Sequence, residues 1–211
     1  MTSWRLGVFT GFAVVCSVLA VRVVQGSTSA DTWHALRAAG FVTYLLFWLS
    51  ALTGMAFYLR MSVPGIRQTV MFELHRASGA LAAAFLAGHL VGVLVDPWID
   101  FSLVDVLVGA TAPYRPLALL LGASAAWALA IVTLTTAFAG RFLYATWLNL
   151  HRLAFPGYVL ALLHGLVAGS DSANPLVLSM YGLTAGALAG LGVLRLAGRV
   201  PTAASATLPS R

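Results

Sequence analysis

Four of the five histidines in this 211-residue chain stand as two pairs of nearly equal spacing. The stretch ELHRASGALAAAFLAGHL (73–90) carries His75 and His89 in an H-x13-H pattern. The stretch NLHRLAFPGYVLALLHGL (149–166) carries His151 and His164 in an H-x12-H pattern. Each pair opens on Leu-His-Arg, one copy beginning at Leu74 and the other at Leu150. Neutral imidazole offers one nitrogen as a donor and the other as a lone pair. Such residues can ligate metal, relay protons or make a polar contact between helices. A single histidine in an apolar run reads as a packing contact, whereas four in two matched pairs point to shared sites.

The elements that must position them are membrane helices. The chain is 60% hydrophobic and 9% charged, against about 25% charged in ordinary soluble domains. A bilayer core about 30 Å thick needs roughly 20 apolar residues per helix. Six runs qualify, at 6–24, 38–59, 74–95, 117–138, 148–169 and 175–196. The expected fold is all-α, a polytopic bundle of six transmembrane helices. One membrane domain is expected over 1–199, with its core at roughly 38–197, followed by a disordered tail at 200–211. No strand and no glycine-rich nucleotide fingerprint is predicted.

Twelve arginines and no lysines give a net charge of +6. Arg5, Arg60, Arg67, Arg76, Arg141, Arg152, Arg195, Arg199 and Arg211 fall at the termini and in the 2–3 and 4–5 loops, while Asp31, Asp96, Asp100, Asp105 and Asp171 fall in the opposite loops. Arginine excess marks the cytoplasmic side, so both termini are expected in the cytoplasm. Arg22, Arg37 and Arg115 are exceptions. The arginines flank apolar runs instead of clustering on a water-facing domain, which argues against nucleic acid as a partner. Cys16 stands alone, so it forms neither an intrachain disulfide nor a cysteine-rich metal site. The first run resembles a signal peptide up to Thr28-Ser29-Ala30, but Arg22 and the long gap before Ala30 argue against cleavage. In the 3–4 loop, FSLVDVLV reads either as an interfacial segment or as a cap over the bundle.

At a rise of about 1.5 Å per residue, these spacings separate the two side chains of a pair by about 20 Å along a helix. The third and fifth spans run parallel, so His75 and His151 are expected at the cytoplasmic level, and His89 and His164 near the outer level. The first spacing nearly completes four turns and leaves His89 about 40° from the direction of His75. The second leaves His164 well off the direction of His151, and a kink at Pro156-Gly157 is expected to re-aim the outer half.

Zinc is one occupant for facing imidazoles, although it usually takes three or four protein ligands. Haem needs two axial ligands and fills apolar space, so it fits two histidines per level better. Small residues near the sites, Ala77, Gly79, Ala80, Ala82–Ala84, Ala87, Gly88, Gly92, Gly157 and Gly165, could make room for a macrocycle. Ordinary helix packing explains them equally well. Arg76 and Arg152 are candidate partners for haem propionates, with Arg60 or Arg67 nearby. Charge-rule anchoring is the alternative. Arg37 and Arg115 are the outer candidates, and His34 is expected at a surface.

Two histidine pairs spaced in this way on the third and fifth of six spans resemble the ferric reductase-like transmembrane domain family. That family includes the membrane halves of NADPH oxidases and ferric reductases, and the haem-binding subunit of bacterial methionine sulfoxide reductase. WLNLHRLAFPGYVLALLHGL resembles its fifth-helix pattern, and the resemblance covers roughly spans two to six. It implies two b-type haems, each held by two histidines, passing electrons across the membrane. Larger members append a flavin and nicotinamide domain after the sixth helix. None follows here, so the expected donor is a separate protein, flavin or quinol, and the acceptor lies outside. The expected role is an oxidoreductase component in a bacterial plasma membrane. A cytochrome b561-type quinol or ascorbate oxidoreductase is one rival, and a haem-free transporter or scaffold with structural histidines is another.

Overall fold

A computed structural model describes residues 29–61 and 64–197. The predicted first span, 6–24, lies outside the described residues, as do Arg199, Arg211 and the tail. The described residues form helices joined by turns, without a β-strand. In chain order they are α1 (Ser29–Tyr58), α2 (Gln68–Val95), α3 (Leu103–Val108), α4 (Pro116–Ala137), a 3₁₀ turn (Ala139–Arg141), α5 (Tyr144–His151), α6 (Ala154–Ala168) and α7 (Pro175–Leu196). Five stretches are long and apolar enough to cross a membrane: α1, α2, α4, α5 with α6 taken together, and α7. They match predicted spans two to six. The chain is a multi-pass membrane protein.

The helix ends follow local chemistry. Pro97 disfavours helix in the residue before it, and Asp96 is extended (φ −70°, ψ 117°) where α2 stops. Pro116 and Pro175 each occupy the first turn of a helix, where a missing N–H costs nothing. Asn174 caps α7 by accepting the Leu176 N–H at 2.9 Å. The short α3 is held by a reciprocal capping box: Ser102 Oγ accepts the Asp105 N–H at 3.1 Å, and Asp105 accepts the Ser102 N–H at 3.0 Å. Gly109 follows it at φ +78°, against the backbone of Leu119 and Leu120, where a side chain has neither the conformation nor the room.

The break in the fifth span lies one turn earlier than expected. The helix tightens at Arg152–Leu153, between α5 and α6, instead of kinking at Pro156-Gly157. Pro156 has no N–H to give the Arg152 carbonyl, and its ring crowds that oxygen. Arg152 O therefore takes the Phe155 N–H at 3.1 Å, an i+3 bond, and Leu153 N–H bonds Leu150 O at 3.1 Å. The turn comes directly after His151, so the two histidines of this span sit on separate helical pieces.

α2 packs along α1, and α4 packs along α5 and α6, while α1 also touches α6 and α7. At the centre, Tyr44 of α1, Tyr158 of α6 and Tyr181 of α7 are buried with Phe47 and Leu129. The Tyr44 hydroxyl lies 2.8 Å from Tyr158 Oη and 2.6 Å from Thr184 Oγ1. Thr184 Oγ1 donates to Met180 O at 2.8 Å. Its proton is thereby spent, so Tyr44 donates to Thr184 and Tyr158 donates to Tyr44. Trp48 Nε1 adds a bond to Thr184 O at 3.0 Å. Leu117, Leu134, Leu176, Leu183 and Leu196 face outward, as lipid-facing residues of a membrane bundle do.

Of the two readings of the loop that holds α3, the structure bears on the cap. Val106 is buried, and with Ile99 and Phe101 it lines a cavity inside the bundle. Leu103, Val104, Leu107 and Val108 point away and are exposed.

Candidate functional site

The structure brings the four histidines together as two pairs. His75 of α2 meets His151 of α5 with ring centroids 5.8 Å apart, inclined at 75°. His89 of α2 meets His164 of α6 at 6.5 Å and 72°. Each pair bridges the α1–α2 and α4–α5–α6 hairpins at opposite ends of the spans. Arg60, Arg67, Arg76, Arg141, Arg152 and Arg195 belong to the His75–His151 end, and Asp96, Asp100, Asp105 and Asp171 to the other.

Three imidazoles share a backbone carbonyl partner; at His75 the Ser50 hydroxyl also lies 3.2 Å from Nδ1, with its own proton donated to His75 O at 3.0 Å. His89 Nδ1 lies 2.8 Å from Leu36 O, His75 Nδ1 2.8 Å from Ser50 O, and His164 Nδ1 2.7 Å from Ala118 O. A carbonyl only accepts, so each Nδ1 carries the proton and each Nε2 keeps its lone pair. Histidine ligands of metals are commonly oriented in this way, by an N–H donated to a backbone carbonyl. His151 Nδ1 instead lies 3.3 Å from Thr136 Oγ1.

Glycines make these approaches possible. A Cβ placed on Gly54 would stand 2.8 Å from His75 Nδ1, one on Gly122 2.7 Å from His164 Nδ1, and one on Gly40 3.2 Å from His89 Nδ1. These glycines lie on α1 and α4, the helices that receive the histidines. Four of the small residues singled out on the histidine-bearing helices make contacts between helices, and one of these, Gly165, also lines the cavity beside His89 and His164. Gly79 packs on Ser50, Gly92 on Leu36, Gly157 on Ala128 and Gly165 on the Tyr181 hydroxyl. They bring helices close, as small residues do in membranes.

The ring spacing suits a metal with two axial ligands. Two metal–nitrogen bonds of about 2 Å, plus the offset of each nitrogen from its ring centre, give roughly 6 Å between centroids. Among the described residues no cluster of three or more histidine, cysteine, aspartate or glutamate side chains could hold a metal ion. Each level offers two imidazoles, as a bis-histidine haem requires and a closed zinc site does not. Beside His89 and His164 a cavity of about 230 Å³ extends between Gly40, Gly122, Tyr181 and the α3 cap.

The arginines divide by end. Arg76 bonds Glu73 one turn back at 3.5 Å, and its guanidinium lies 5.5 Å from the Phe72 ring centre. Arg152 bonds Asn149 Oδ1 at 3.1 Å. Each directly follows its histidine, Arg76 within α2 and Arg152 just past the end of α5. Arg37 and Arg115 line the cavity at the other end. Arg37 pairs with Asp171, a partner that sequence reading treated only as a loop charge. Arg115, in a left-handed conformation (φ 46°), donates to Val167 O and Ala168 O at the end of α6, at 2.9 and 3.1 Å. His34 is exposed near the start of α1 and belongs to neither pair.

Sequence reasoning missed the residues that receive the histidines: Leu36, Ser50 and Ala118 with their glycines, and Thr136. A signal was present, since Gly40 and Gly54 are separated by the same step as His75 and His89. Comparison with protein-family models, curated proteins and solved structures returns no match for this chain.

Proposed function

We propose that this chain is a transmembrane electron conduit that holds two b-type haems, one between His75 and His151 and one between His89 and His164. The observation that carries this reading is the hydrogen bonding of the histidines. Three of the four commit Nδ1–H to a backbone carbonyl, which leaves Nε2 as a ligand, and the ring centroids of the two pairs lie 5.8 and 6.5 Å apart. Bound haem supplies one-electron chemistry at each level.

The remaining work falls to the chain's own residues. His75 with His151, and His89 with His164, would hold the iron of a bound haem, and an iron held by two histidines would favour electron transfer over oxygen binding. The helices fix the two levels about 20 Å apart along the bundle axis. The buried Tyr44, Tyr158 and Phe47 core occupies the space between them. Arg76 and Arg152 border one level, and Arg37 and Arg115 the other, where guanidinium groups suit propionate carboxylates. Asp171 then competes with a propionate for Arg37.

In this reading the run at 6–24 is a sixth span and both termini are cytoplasmic. The arginine-rich end then faces the cytoplasm. The donor is a separate flavoprotein, free flavin or quinol on that side, the acceptor lies outside, and the membrane is a bacterial plasma membrane. A negative interior favours outward electron movement. The chain thus serves as the oxidoreductase component that crosses the membrane, in the manner of the ferric reductase-like family.

Proteoliposomes test the reading. With reductant inside and an impermeant ferric chelate outside, the protein should reduce the chelate, and His164→Ala should not. Equal rates from the protein, the variant and empty liposomes would refute it.

A further inference from the structure

The carbonyl–glycine pairs that receive the imidazoles obey a rule, and one position breaks it. Leu36 with Gly40, Ser50 with Gly54, and Ala118 with Gly122 each stand at positions i and i+4. In a helix the carbonyl of residue i accepts the N–H of residue i+4, whose side chain lies over it. A glycine there leaves the oxygen's second lone pair open to an outside donor. Along α1, Leu36 and Gly40 recur as Ser50 and Gly54, at the step that separates His75 from His89. From α1 to α4, Leu36 and Gly40 map onto Ala118 and Gly122 by one common shift. The same two steps lead to Val132 and Thr136 as the receiving pair for His151.

At that position a β-branched residue replaces the glycine. Val132 O accepts Thr135 Oγ1 at 3.3 Å and no imidazole. His151 Nδ1 meets the Thr136 hydroxyl at 3.3 Å instead. Trp147 Nε1 donates to the same hydroxyl at 3.4 Å, and its ring stacks on His151 at 5.0 Å and 26°. A hydroxyl can donate or accept, whereas a carbonyl can only accept.

We infer that Thr136 is a positioning residue that makes His151 the adjustable member of the four, free to carry its proton on either ring nitrogen, while a carbonyl fixes the other three. Its consequence for a metal rests on the haem reading; the tautomer claim does not. The Nε2–H tautomer cannot bind a metal through Nε2, so the His75–His151 level bears the cost of selecting the other form. A hydroxyl is also a weaker acceptor than a carbonyl and pushes less electron density into the ring through Nδ1–H, so His151 is the less basic ligand.

The experiment compares Thr136→Val, Thr136→Ser and Thr136→Gly in the purified protein by redox titration and by haem loss to a scavenging globin. Thr136→Val keeps the shape and removes the hydroxyl. It should raise the midpoint potential of one transition and weaken haem retention at one level roughly 10–100-fold, leaving the other level unchanged. Thr136→Ser should restore both properties. Thr136→Gly opens Val132 O and should lower the same potential below that of the parent. Unchanged potential and retention in Thr136→Val would overturn the inference, as would equal shifts in both transitions. If the protein purifies without haem, the proposed function fails separately. Nitrogen-15 NMR of the histidine rings then decides the tautomer claim: a mixture at His151 that becomes Nδ1–H in Thr136→Gly supports it, and pure Nδ1–H in the parent overturns it.

Discussion

The two histidine pairs are built from the same parts and finished differently. At the His89–His164 level both imidazoles bond backbone carbonyls, at 2.8 and 2.7 Å, and each rests on a glycine. The α3 cap and the Arg37–Asp171 pair close that end. At the His75–His151 level one imidazole has a carbonyl and the other a threonine hydroxyl at 3.3 Å. Arg76 and Arg152, each bonded along its own helix, border it. A carbonyl-fixed level and an adjustable level would suit the proposed conduit, whose two ends would meet different partners.

The largest expected break is loss of a ligand. His89→Ala or His164→Ala should empty one level, lower the haem count by one per chain and abolish transfer across the bilayer, as measured by haem extraction and liposome reduction. The His75–His151 spectrum should persist.

Filling a cradle comes next. Gly122→Ala places a methyl carbon 2.7 Å from His164 Nδ1, and Gly40→Ala places one 3.2 Å from His89 Nδ1. Each should disturb only its own level, with Gly122→Ala the more severe, costing about 1–3 kcal/mol through the broken hydrogen bond. Haem retention and thermal unfolding check the order. Equal effects would mean that the glycines serve helix packing and not the rings.

Between the levels, Tyr44→Phe strands the hydroxyl of Tyr158 and leaves Thr184 Oγ1 with one bond fewer. The expected loss is about 1–3 kcal/mol of stability, read by unfolding in mixed micelles, with both levels affected alike. A loss confined to one level would remove the core from its place between them.

The smallest effect is at the cap. The Ser102 and Thr111 hydroxyls, with the Ser102 N–H, hold the exposed Asp105 carboxyl below the usual carboxylate range. A lowered folded value contributes stability that is fully present above the ordinary carboxylate pKa and is lost as pH falls through the lowered one. Protection of the α3 amides, relative to their intrinsic exchange rates, should therefore fall on acidification, and Asp105→Asn should remove that dependence. Protection that stays flat with pH would leave the capping box without this role.

Much of this was legible in the sequence, because membrane spans are written in composition. The predicted 175–196 run is α7, and the 117–138 run differs from α4 by one residue at each end. Helix α1 begins at Ser29, well before the predicted start of its span at 38. Its helix continues past the apolar run, which hydropathy alone does not register. The fifth span misled for a local reason: a proline acts on the carbonyl one turn before it, so the break falls at Arg152–Leu153. The pairing of histidines followed from depth alone. What receives each ring did not, because the glycines sit on neighbouring helices and depend on a register that only packing reveals. The Tyr44–Tyr158–Thr184 chain was illegible for the same reason, since its members are 114 and 140 residues apart.

The most direct measurement is the reduced-minus-oxidised absorption spectrum of the protein purified in mild detergent after expression with ample haem, with haem counted per chain. Two low-spin b-type haems per chain are predicted. A colourless protein would contradict the account and leave the four histidines as polar contacts between helices.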